Sequence, residues 1–189
     1  MKAALKTVLP ASRLSKRVAE LGHDISRDFA GRTVDLVVVL ENSFVFAADL
    51  MRQISLPVVC HFVRVDMRDV KQSGHDRREI FFSQPPQLKG RDVLLVDALL
   101  HTGLTQDFLC RRLLEARPRS LRLAVLVDKR EDRRVNVKPD YFGFSVASNY
   151  VAGYGLAGNR GWFRNLLYIG VGPSKRRGVV RTGEVRKVR

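Results

Sequence analysis

With 189 residues, 45% of them hydrophobic, and a formal net charge of +15, the chain is long enough for one domain with a sizeable core. No apolar run approaches the roughly 18 residues of a membrane span, and the opening MKAALKTVLPAS holds no uninterrupted hydrophobic segment, so neither a transmembrane helix nor a signal peptide is expected. Cys60 and Cys110 are the only cysteines and stand far apart, so neither a disulfide framework nor a cysteine zinc site is suggested and a reduced, cytoplasmic protein is expected.

Leu14, Val18, Leu21, Ile25 and Phe29 recur at three- or four-residue intervals and predict an amphipathic helix over residues 12–29. VDLVVVL (34–40) is a short β-branched run, the pattern of a strand covered on both faces. ENSFVFAADLMRQI (41–54) reads as a turn into a helix, and Pro57 opens a second strand, VVCHFVRV (58–65). Residues 66–91 are polar, charged and broken by Gly74 and Pro85-Pro86; a connection of this length reads as a mobile lid, with a short strand near Glu79 to Phe82. A strand at 93–97 leads through His-Thr-Gly into a helix over 105–116. LRLAVLVDK (121–129), DYFGFSV (140–146), YVAGYGL (150–156) and LLYIGV (166–171) are further strands. Strands alternating with helices predict an α/β domain over residues 1–171 with a largely parallel central sheet.

The last 18 residues, GPSKRRGVVRTGEVRKVR, carry seven Lys or Arg and one Glu, a net +6 that leaves +9 on the rest. Residues 172–189 are therefore expected to be a disordered basic extension. Such a tail either solubilises the chain or anchors it to a polyanion such as RNA; the lack of aromatic residues for base stacking favours the first.

In open parallel sheets ligands collect beyond the carboxyl ends of the strands. VLLVDALLHTGLT (93–105) puts Asp97 at such an end. It then offers backbone amides, two threonine hydroxyls, a permissive glycine and a helix N-terminus, the parts of a monophosphate cradle. The same pattern also fits an ordinary strand-to-helix turn capped by Thr102 or Thr105.

This stretch resembles the phosphoribosyl pyrophosphate loop of type I phosphoribosyltransferases. The chain as a whole, from about Leu14 to Val171, is similar to the hypoxanthine-guanine phosphoribosyltransferases. RVAELGHDIS resembles that family's opening helix, and VVVLENSFVFAADLMRQISLPV its pyrophosphate-loop strand and helix. LRLAVLVDKREDRRVNVKPDYFGFSV and YVAGYGLAGNRGWFRNLLYIGV resemble its purine-binding half. The resemblance implies a mainly parallel sheet flanked by helices, with a small hood and a long mobile loop. It also implies purine salvage: magnesium-dependent transfer of ribosyl phosphate from phosphoribosyl pyrophosphate to hypoxanthine or guanine, giving a nucleoside monophosphate. Relatives form homo-oligomers.

Carried over by position, the resemblance assigns Thr102, Gly103 and Thr105 to the phosphate. Lys129 falls to the 6-oxo group of the base, Tyr150 to stacking on the purine, Val151 to its edge, and Arg164 to pyrophosphate. Asp97 keeps the first of two loop acids, near the ribose and magnesium, and counts with His101 among the catalytic candidates. Taken singly, Lys129 also reads as a strand-end charge and Tyr150 as a core aromatic. Their family order favours binding.

Several positions depart from the family pattern. The second loop acid is Ala98, and the aspartate near the base nitrogen is His101. Lys-Gly of the pyrophosphate loop is Glu41-Asn42, where a carboxylate repels pyrophosphate and the loss of glycine bears on the backbone turn. The Ser-Tyr pair of the mobile loop has no counterpart around Asp66 to Asp69, and the aspartate after GYGL is Ala157, inside an inserted AGNRG. His101 reads equally as a substitute base or as a solvent-facing loop residue. Two functions follow: a divergent, catalytically weakened enzyme, or an inactive paralogue that senses nucleotides or binds RNA or ribonucleoprotein.

Overall fold

The computed structural model describes residues 5–68, 77–82, 86–147, 150–172 and 180–182. In chain order the elements are β1 (Lys6–Leu9), α1 (Ala11–Asp28), β2 (Val34–Leu40), α2 (Phe44–Gln53), β3 (Val58–Arg68), β4 (Arg77–Phe82), β5 (Asp92–Leu100), α3 (Leu104–Leu114), β6 (Ser120–Asp128), β7 (Tyr141–Val146), β8 (Val151–Ala152), β9 (Ile169–Val171) and β10 (Val180–Thr182). A seven-stranded sheet has the order β10-β7-β6-β5-β2-β3-β4. Its inner five strands are parallel and its two edge strands antiparallel. A second, antiparallel sheet of order β1-β9-β8 forms the hood.

The apolar runs become two-sided strands because helices cover both faces. Leu36, Val38, Leu94 and Val96 point into the core under α1 and α2, while Val37, Val39, Val93 and Leu95 point into the one under α3. Burying each such side chain contributes roughly 1.5–3 kcal/mol. The stripe read from the sequence is the one α1 buries: Leu14, Val18, Leu21 and Ile25 are covered, with Phe29 just beyond the helix end. Arg17, on the same face, is buried because its guanidinium donates to the carbonyls of Phe142 (3.0 Å) and Gly143 (3.2 Å) on β7. Gly22 lets α1 lie against the end of α2, since a Cβ there would stand 2.4 Å from Gln53 Cβ.

Three features were not legible as elements. β1 is only four residues long, too short for a periodic signal, and exists because β9 pairs with it. The run 150–156 is a strand only at β8. It then turns through Gly153, Tyr154 and Gly155, all at positive φ. Part of the basic tail, β10, pairs antiparallel with β7; residues 173–179 and 183–189 lie outside the described residues. Within the expected lid, β4 pairs with an extended β3 and includes the short strand anticipated near Glu79 to Phe82, whereas residues 69–76 and 83–85 lie outside the described residues. Among the described residues no helix is long and apolar enough to cross a membrane.

Candidate active site

Parallel pairing of β2, β5 and β6 brings their carboxyl ends side by side, so the turns that follow them at 41–43, 101–103 and 129–134 share one rim. Gly103 caps α3 at φ +83°, a left-handed conformation open to glycine, and it turns the chain so that the helix N-terminus faces the loop. A Cβ there would meet Arg133 Cδ and Val135 Cγ2, each at 3.0 Å. The turn after β6 lies against this loop: the Lys129 amide donates to Leu100 O (2.9 Å) and the Arg134 amide to Thr102 O (2.9 Å). Arg133 donates to buried Asp128, and its Nη1 is buried without a hydrogen-bond partner. Thr102 and Thr105 are half-buried on either side of Gly103.

Lys129 is 4% exposed. Burial holds its ammonium below the usual lysine range, and the nearby Asp132 carboxylate acts in the opposite direction. His101 has a half-exposed side chain, and its Nε2 lies 3.1 Å from Asp132 Oδ2.

Asp97 is 7% exposed, and both carboxylate oxygens are engaged. Oδ1 accepts from Ser43 Oγ (2.9 Å) and Oδ2 from Gln106 Nε2 (2.6 Å). Burial pushes its carboxyl above the ordinary aspartate range, against the opposing pull of those two donors. In this placement Asp97 ties the turn before α2 to the first turns of α3. Ala98, where the family pattern has an acid, is buried in the α1–α2 core. Among the described residues no three His, Cys, Asp or Glu side chains cluster to hold a metal ion. A carboxylate has more acceptor sites than those Ser43 and Gln106 fill, so buried Asp97 could still lend one oxygen to a metal whose other ligands come from substrate and water.

At the neighbouring turn the Leu40–Glu41 peptide is cis, and Asn42 is not among the residues at positive φ. Arg164 Nη1 donates to Asn42 Oδ1 and to Gly155 O, both at 2.7 Å. Its Nη2 reaches Glu41 Oε2 at 3.4 Å, and Arg64 Nη1 lies 3.7 Å from Glu41 Oε1. Glu41 is thus flanked by two guanidiniums. Tyr150 sits in the hood with its ring against Gly172 and its hydroxyl against Gly158, each closer than an added Cβ would allow, and Val151 pairs with Val171.

The structure therefore gathers His101, Thr102, Gly103, Thr105 and Lys129 at one rim and places Arg164 at the 41–43 turn, joined to that rim through Ser43 and Asp97. Tyr150 and Val151 belong to the hood. The sequence reading missed Ser43, Gln106, Arg133 and Asp132. Only Asp132 left a trace, as an acid three residues after Lys129.

A profile of the phosphoribosyl transferase domain matches residues 5–157. The hypoxanthine-guanine phosphoribosyltransferase of Mycobacterium tuberculosis (strain H37Rv) is 34% identical over 169 residues, covering 86% of this chain and 83% of that protein. The chain belongs to the hypoxanthine-guanine phosphoribosyltransferase family. Hypoxanthine phosphoribosyltransferase from Escherichia coli K12 is 31% identical, covering 90% of this chain and 96% of the relative. Among solved structures, a hypoxanthine-guanine phosphoribosyltransferase from Bacillus anthracis superposes with a TM-score of 0.81 at 30% identity, covering 90% and 99% of the two chains. A mutant Trypanosoma cruzi hypoxanthine phosphoribosyltransferase, solved as a ternary substrates complex, reaches 0.83 at 29% identity, covering 92% and 97%. The chain thus shares its type I fold with them over about nine-tenths of its length.

Proposed function

We propose that this protein is a divergent enzyme of purine salvage. It joins hypoxanthine or guanine to the ribosyl phosphate of phosphoribosyl pyrophosphate, bound as its magnesium complex, and does so slowly. The observation that carries this reading is the packing of the 129–134 turn on the 101–103 loop, which sets Lys129 and His101 beside the helix N-terminus of the phosphate cradle.

In this reading Thr102, Gly103 and Thr105 hold the 5′-phosphate with amides and hydroxyls. Lys129 donates to the 6-oxo group of the purine, Tyr150 stacks on its face, and the Val151 backbone reads its edge. Purine N9 bonds to ribose C1′ while the C1′–oxygen bond to pyrophosphate breaks, and the electron pair leaves with pyrophosphate. The proton on purine N7 passes to His101, and Arg164 faces the departing anion. Magnesium carried in with the substrate would supply neutralisation of part of its charge. Asp97, held by Ser43 and Gln106, would turn a remaining lone pair to the ribose hydroxyls or the ion. Missing charge-assisted contacts at Ala98 and Ala157, roughly 1.5–3 kcal/mol each, lower the rate by several orders of magnitude.

A second reading, a nucleotide-binding paralogue without turnover, draws support from the burial of Asp97 and its use as a link between Ser43 and Gln106. A single-turnover assay with phosphoribosyl pyrophosphate, magnesium and each base, run beside calorimetric titration of the monophosphate products, separates the two. Monophosphate formation is the expected result. Binding without product supports the paralogue, and neither binding nor product removes both readings.

A further inference from the structure

His101 occupies a position from which a ring nitrogen takes the purine proton, a role that rests on the enzymatic reading above. An isolated imidazole on an exposed loop is free to rotate and to change tautomer, which makes it a poor acceptor. Here it is not isolated. Its Nε2 lies 3.1 Å from Asp132 Oδ2, across 31 residues of sequence.

We propose that Asp132 is a positioning residue that fixes His101 as the proton acceptor of the reaction. An ionised carboxylate only accepts hydrogen bonds, so the contact requires the proton of neutral His101 to sit on Nε2. That leaves the lone pair on Nδ1 as the ring's basic site. When Nδ1 takes the proton from purine N7, the imidazolium forms against a carboxylate already in contact with it. No group has to move to neutralise the new charge.

The backbone places Asp132 for this task. It ends the short 3-10 turn Arg130–Asp132, and its amide donates to Lys129 O at 3.3 Å. The same turn is tied to the loop by the Lys129 and Arg134 amides, which hold Leu100 O and Thr102 O on either side of His101. The acid and the histidine are therefore held by two backbone clamps, independent of their own contact. The Asp132 charge also acts on Lys129. One carboxylate thus serves both groups that face the purine, a short distance from where the family pattern places its aspartate.

The test is a double-mutant cycle on the full chain. Asp132→Ala is expected to lower kcat about tenfold or more, a part of the roughly hundredfold or greater contribution of a positioned base. The KM for phosphoribosyl pyrophosphate should stay within about twofold, because the phosphate cradle is untouched. In a His101→Ala background Asp132→Ala should cost little further, since its effect passes through the imidazole. Asp132→Glu, which keeps the charge one methylene away, should recover most of the loss. An unchanged kcat in Asp132→Ala, or a full additional loss in the His101→Ala background, overturns the proposal. If the wild-type protein turns over neither base, the enzymatic reading fails by itself. The same cycle is then read from the calorimetric affinity for inosine monophosphate, whose N7 accepts from the protonated ring. Coupled losses in that affinity support the Asp132–His101 pairing, and additive ones reject it.

Discussion

Ser43 donates its hydroxyl proton to Asp97 and takes the Ala98 amide on the same oxygen, both at 2.9 Å, so the turn before α2 and the end of β5 form one hydrogen-bonded unit. With Gln106 as second donor, that unit reaches α3. An acid that sequence position assigns to ribose and metal is thereby also the joint of three elements.

Its titration should show this. Burial raises the Asp97 pKa in the folded state, so the native protein holds that proton more tightly than the unfolded chain does. The resulting stability is fully present below the unfolded value of about 3.9 and is lost as pH rises through the folded one. Asp97→Asn removes the dependence. Urea denaturation of both proteins from acid to neutral pH should show the wild-type advantage over the variant shrinking as pH increases. A constant difference would mean that Asp97 titrates as a solvated carboxylate.

The acid at the pyrophosphate turn makes an opposite prediction, on affinity rather than stability. Glu41 is 56% exposed and pairs with Arg64 and Arg164 at 3.4 to 3.7 Å. Exposed pairs of this kind contribute less than about 1 kcal/mol, so Glu41→Gln should leave the unfolding free energy nearly unchanged. Removing a unit charge a few ångströms from the ligand should tighten binding of magnesium pyrophosphate several-fold, since such a charge is worth about 1 kcal/mol in a water-like dielectric. Isothermal titration checks it. Equal affinities would indicate that both guanidiniums already turn to the ligand despite Glu41.

Gly22 sets local propensity against packing. In an isolated helix, Gly→Ala stabilises by about 1 kcal/mol. Here the added methyl would lie 2.4 Å from Gln53 Cβ and 2.6 Å from its carbonyl oxygen, which must shift. Overpacking of this kind costs about 1–3 kcal/mol, so the net result should be destabilisation. A midpoint of thermal unfolding that rises in Gly22→Ala would show that α2 moves away freely.

Much of the fold was written in local pattern. The stripe from Leu14 to Phe29 and the two-sided run VDLVVVL each specify an element from their own spacing, because a 3.6-residue period or an unbroken β-branched run has few other ways to be buried. The turn HTGLT was equally legible, since a glycine at the left-handed position before a helix is a local requirement. The hood was not. β1, β8 and β9 are two to four residues long, and they are strands because they meet one another.

The candidate site divides in the same way. Sequence alone nominated the residues proposed for its chemistry, His101, Lys129, Arg164 and the threonines, because their order along the chain is the family's order. Tertiary structure decided what each of them faces. Parallel pairing of β5 with β6 puts Asp132 against His101, and pairing of β2 with β5 puts Ser43 against Asp97. Those partners lie 31 and 54 residues apart in the chain. No period or motif relates positions so distant, and only the register of the sheet brings them within hydrogen-bonding reach.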